Sequence, residues 1–101
     1  MILNLSPMRR DYRVSVAVHG DVLSVDGIDY DFSAVVEGVP VPQEEIGCEW
    51  LVGDVVRKNG EIELTLILSH GARAPQETLF PAPIHATTDG NIALPPYDMS
   101  A

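Results

Sequence analysis

Cysteine is nearly missing: Cys48 is the sole thiol, so no disulfide framework can form within the chain. Basic residues are scarce too, with six Lys and Arg against fifteen Asp and Glu in 101 residues and a net charge of −9. Such a surface repels phosphate backbones and anionic headgroups, so neither nucleic acid nor a membrane is expected as partner. One Trp, three Tyr and two Phe are too few for a base-stacking platform. No apolar run approaches the roughly 20 residues of a membrane-spanning helix. Residues 1–13 lack the charged-then-apolar order of a secretory signal. Internal repeats, low-complexity tracts and phosphate-cradling glycine loops are absent as well.

What is present is a 46% hydrophobic content, enough for a packed core and too much for a disordered chain. The length makes one domain, 1–101, whose modest core gains from association with other copies. Charge is unevenly placed. Residues 1–20 hold Arg9, Arg10 and Arg13 against Asp11, whereas 21–56 hold nine acids and no base. Two readings fit: a solvated surface that keeps the protein soluble, or complementary patches between subunits.

The hydrophobic period is two. Val14, Val16 and Val18 alternate with Arg13, Ser15 and Ala17; Leu23 and Val25 flank Ser24; Ile28, Tyr30 and Phe32 alternate with Asp29 and Asp31. Alternation of this kind marks half-buried strands. His19-Gly20 and Asp26-Gly27 sit between these runs as two-residue turns. They predict a three-stranded meander with Val16 opposite Leu23, Val14 opposite Val25, Val25 opposite Ile28 and Leu23 opposite Tyr30. One face is then apolar, and Ser15, Ser24, Asp29 and Asp31 share the other.

A second hairpin is expected around Asn59-Gly60, joining 51–57 to 61–68. Its inner face carries Leu51, Val55, Ile62, Leu64, Leu66 and Leu68, and Lys58 faces Glu61 as a cross-strand charge pair. Its outer face mixes Val52, Val56 and Ile67 with Asp54, Glu63 and Thr65. With Trp50 those three form a candidate interface. A third hairpin, 84–88 with 91–94, is predicted around Asp89-Gly90, although no loop length gives it a clean face. Residues 1–5 read as an added strand before Pro7. Residues 38–42 exclude a helix because proline disfavours helical geometry in the residue before it, and 42–46 allow one helical turn at most. Residues 71–83, with three prolines, read as a surface loop. The tail 95–101 reads as a frayed end, or as an extended segment for a partner. The fold expected is all-β: a small antiparallel sandwich or roll of six to eight short strands built from hairpins, nearly free of helix.

Candidate chemistry is thin. No spacing links Cys48 to His19, His70 or His85, and an isolated cysteine is more often a small buried hydrophobe than a nucleophile. The histidines lack the close pairing of metal ligands. Residues 26–31 resemble a calcium loop only superficially, since Gly27 follows the first oxygen ligand and not the third. Asp29 and Asp31 on one strand face remain a candidate site for a cation or small ligand. Carboxylates as a glycosidase acid and base have nothing to position them. The chain is read as no enzyme, and no cofactor is expected.

Leu5-Ser6-Pro7, Gly20-Asp21-Val22-Leu23, Asp31-Phe32-Ser33, Cys48-x-Trp50-x-x-Gly53, Leu64-x-Leu66-x-Leu68, His70-Gly71, Phe80-Pro81-x-Pro83-Ile84 and Asp89-Gly90 follow one another in a distinctive order. In that order the chain resembles small uncharacterised proteins encoded in bacteriophages and prophages, often among tail genes. The resemblance spans most of the chain. It implies a tail-associated structural or assembly role, with phage structural proteins or further copies of itself as partners. It also implies residence in the host cytoplasm during assembly, or in the virion. That family brings no catalytic residues with it.

Overall fold

The computed structural model describes residues 1–98. Eight strands, β1 (Ile2–Arg9), β2 (Val16–His19), β3 (Val22–Val25), β4 (Ile28–Asp31), β5 (Val56–Lys58), β6 (Glu61–His70), β7 (Ile84–His85) and β8 (Gly90–Asn91), form two four-stranded sheets ordered β5-β6-β1-β7 and β4-β3-β2-β8. Among the described residues helix is confined to two single turns, α1 (Gln43–Ile46) and α2 (Gln76–Leu79). The all-β expectation therefore holds.

The period-two pattern becomes the core directly. Val16, Val18, Leu23 and Val25 of the second sheet and Leu3, Ile62, Leu64, Leu66 and Leu68 of the first are all buried. Asp26-Gly27 and Asn59-Gly60 turn as read, with positive φ at both positions of each, the geometry that matches strand twist. The first turn differs. Gly20-Asp21 makes it, not His19-Gly20, so Val16 pairs with Val25 and Val18 with Leu23. Gly20 takes its positive φ of 60° at the first turn position instead of the second. The slip is two residues, so every side chain keeps its predicted face.

The 51–68 hairpin differs by the same parity-preserving kind of shift. Val56↔Glu63, Arg57↔Ile62 and Lys58↔Glu61 are paired as predicted, yet Leu51 lies opposite Leu66, not Leu68. An excursion at Gly53-Asp54, where Gly53 has φ 78°, absorbs two residues. Lys58 also finds a different partner, reaching Glu63 diagonally at 3.8 Å.

Three elements depart from the sequence reading. Residues 1–5 belong to a longer strand, β1, that runs through Pro7 and pairs in parallel with β6 from Ile2↔Glu63 to Arg9↔His70. The first sheet is thus mixed, not wholly antiparallel. Pro7 is tolerated because β7 covers only Ile2 and Leu3, leaving the outer side of β1 open at Pro7, where a missing N–H breaks no ladder. The third hairpin does not form. β7 joins β1 of one sheet and β8 joins β2 of the other, so residues 84–91 pass between sheets, which is why no hairpin register gave a clean face. Finally, 71–83 is more than a surface loop: α2 buries Thr78 completely, and its hydroxyl donates to the Pro96 carbonyl.

That contact is one of several holding the end of the described chain. Gly71 N–H donates to the Tyr97 carbonyl at 2.9 Å, Arg73 N–H to Asp98 Oδ1 at 2.9 Å, and the Tyr97 hydroxyl to the Arg10 carbonyl. The frayed tail expected over 95–101 is tied down as far as Asp98; residues 99–101 lie outside the described residues.

Candidate functional site

The four residues of the expected interface separate. Trp50 and Ile67 are buried in the chain's own interior, joined by Ile67 N–H donating to the Trp50 carbonyl at 2.8 Å. Arg10 lies over the Trp50 ring, 5.0 Å from its centroid, and Tyr12 flanks the same ring at 6.2 Å. Neither Trp50 nor Ile67 is therefore on a free surface. Val52 is 41% exposed and Val56 half-buried.

Sequence reasoning missed what lies beside these two valines. Residues 37–41 run along the outer edge of β5, bridging Glu37↔Arg57 and Val41↔Val55. Val39 lies within this segment and Val36 directly before it, 55% and 62% exposed. The available signal was four valines, Val35, Val36, Val39 and Val41, outside any predicted core face in and beside a stretch whose prolines exclude a helix.

Arg57 fixes this edge. Only 15% of its side chain is exposed. Its guanidinium donates to the Val35, Phe32 and Gly60 carbonyls and to Asp21 Oδ2 at 2.9 Å, linking β5 to the β2–β3 turn of the other sheet. Glu37 accepts from the Asn59 and Gly60 amides at 3.0 and 2.7 Å, holding the β5–β6 turn against the edge segment.

Asp29 and Asp31 do share the outer face of β4, and both are exposed. Each is locally engaged. Asp29 accepts from the Ser24 hydroxyl, and Asp31 from Ser33 N–H at 2.9 Å. Hydrogen bonds from the Ser33 amide, and then its hydroxyl, hold the Asp31 carboxyl below its ordinary value. No third His, Cys, Asp or Glu completes a metal-binding group around them among the described residues. Beside β4 lies a groove of about 390 Å³, floored by Tyr30, Phe32, Val35, Val41 and Ile46 and rimmed by Asp29, Asp31 and Glu45. Burial raises the Tyr30 hydroxyl above its usual range, and the nearby Cys48 thiol and Glu49 carboxylate add to the effect.

Cys48 itself is buried. The histidines stay apart: His19 is exposed at the end of β2, His70 Nδ1 contacts the Gly71 carbonyl, and His85 pairs with Glu61. Glu61 also receives the Met1 amino group at 3.1 Å, and these two partners hold its carboxyl below its ordinary value. A larger cavity of about 580 Å³ opens between the ends of the sheets, walled by Val14, Val16, Leu68 and the 91–97 segment. Arg13 stands at this cavity with its guanidinium 5.1 Å from the Tyr97 ring centroid. No helix is long and apolar enough to cross a membrane among the described residues.

Comparison with known proteins finds no matching family model, no matching curated protein and no matching solved structure.

Proposed function

We propose that the chain is a non-enzymatic assembly protein that works by contact with further copies of itself. The single observation that carries this reading is the group of exposed valines on the segments flanking β5: Val36 and Val39 in or next to the segment along its outer edge and Val52 four residues before it, with Val56 half-buried at its start. Large apolar side chains gathered at one margin of a sheet are the usual mark of a contact surface. Charge argues for a second copy as the occupant. At a net charge of −9 copies repel one another except across uncharged surface or surface of opposite sign. The valine edge offers the first, and the arginines of 9–13 set against the acids of 21–56 offer the second. The resemblance to phage and prophage tail-region proteins supplies the setting, a tail-associated structural or assembly role.

Native mass spectrometry at micromolar concentration tests the reading. A discrete oligomer is expected, reduced to monomer by Val36→Asp or Val52→Asp while the far-ultraviolet circular dichroism stays unchanged. A wild-type monomer throughout the concentration range overturns it. The tail setting has its own test, co-sedimentation of the chain with assembled tails from a producing host.

A further inference from the structure

β4 is the outermost strand of its sheet, paired on one side only among the described residues. The two-residue turn at Asp26-Gly27 makes Val25↔Ile28 the hydrogen-bonded closing pair, and hydrogen-bonded and non-hydrogen-bonded pairs alternate from there. Ser24↔Asp29 and Val22↔Asp31 are accordingly non-hydrogen-bonded pairs. Asp29 and Asp31 thus turn their main-chain N–H and C=O groups towards the open side. Against that side lies the groove described above, with α1 contributing Glu45 and Ile46 to its lining. An open strand edge beside an apolar trough is the arrangement that accepts an extended peptide as an added strand.

We infer that this groove binds an extended segment of a partner protein in which apolar residues alternate with Lys or Arg, added to the sheet alongside β4. The alternation follows from the pleat. Tyr30 faces the trough, so the incoming residues on that face are apolar; Asp29 and Asp31 face outwards, so their cross-strand neighbours are cationic. Charge selects the partner. Every charged residue lining the groove is acidic, and no Lys or Arg occurs between residues 21 and 56. No two Lys or Arg of the chain stand two residues apart, so no segment of it supplies the alternation the site calls for. The occupant therefore comes from a different protein.

The test uses a synthetic hexapeptide of alternating Lys and Val, titrated into the Val52→Asp chain, so that failure of self-association leaves the binding result readable. Amide shifts are expected at Ile28–Phe32 and at Glu45–Ile46, with one peptide bound per chain. Asp29→Asn together with Asp31→Asn should weaken binding roughly tenfold, as should raising salt well above physiological strength. Methylating alternate peptide nitrogens removes the strand's donors and keeps its charge, so it should abolish binding. Three results overturn the inference: no binding, shifts away from β4, or equal binding by the N-methylated peptide, which marks charge adhesion without strand addition.

Discussion

Asp21 and Arg57 meet at 2.9 Å across the two sheets, one in the β2–β3 turn and the other in β5. The pair is asymmetric: 40% of the Asp21 side chain is exposed, whereas Arg57 is largely enclosed by the carbonyls of Val35, Phe32 and Gly60. Replacing Arg57 by Met strands these acceptors, and a loss of about 2–3 kcal/mol is expected in urea denaturation. Lys should not rescue it, because one ammonium cannot reproduce the forked donors. Asp21→Asn should cost under about 1 kcal/mol, since the exposed half of the pair is screened by water.

Gly71 adjoins the Asp98 carboxylate so closely that an added Cβ would clash with its oxygens. Gly71→Ala should push Asp98 off the Arg73 amide and loosen the end of the chain. The expected sign is faster proteolysis after Tyr97 and a loss of about 1 kcal/mol. In an Asp98→Ala background the same substitution should be nearly silent, and a double-mutant cycle checks this.

Glu61 links acid stability to the first residue. Its carboxyl titrates below the ordinary 4.5 because the Met1 amino group and then His85 hydrogen-bond to it. A depressed folded value means the contribution is present above the unfolded pKa and is lost as pH falls through the folded one. Glu61→Gln should therefore lower the urea midpoint at neutral pH and flatten its fall below about pH 4.5. Parallel wild-type and mutant curves over that range would remove Glu61 from the acid transition.

Ile67 and Val52 both lie outside the predicted inner face, but burial separates them at 6% and 41% exposed. Ile67→Ala should cost about 2–4 kcal/mol, as for other buried aliphatics. Val52→Ala should stay within about 0.5 kcal/mol. Thermal melts of the two variants make the comparison.

The strands were legible because their information is local. Alternation assigns faces in β2, β3, β4 and β6, and Asp-Gly and Asn-Gly declare their turns. Even the two misplaced registers kept every face, since each moved by two residues. What stayed hidden was partnership over distance. Nothing within 1–9 announces a parallel neighbour at 63–70, and two-residue strands at 84–85 and 90–91 carry no period to read. The site was less legible than the fold. Asp29 and Asp31 were visible as a pair, but the trough beside them is assembled by Val35, Val41 and Ile46 from an irregular stretch. Arg57 looked like one more surface base until its three carbonyl partners were in place.

The parallel pairing of β1 with β6 also sets a timetable. As the chain leaves the ribosome, β2, β3 and β4 can zip together through their own short turns, but Ile2 must wait for Glu63 and Arg9 for His70. Contacts closed over so long a loop form late and slowly. Pulse-labelled hydrogen exchange during refolding should protect Leu23 before Leu3. Until β6 is made, β1 has no strand to pair with along most of its length, and its main-chain donors and acceptors stay open while the meander is already closed.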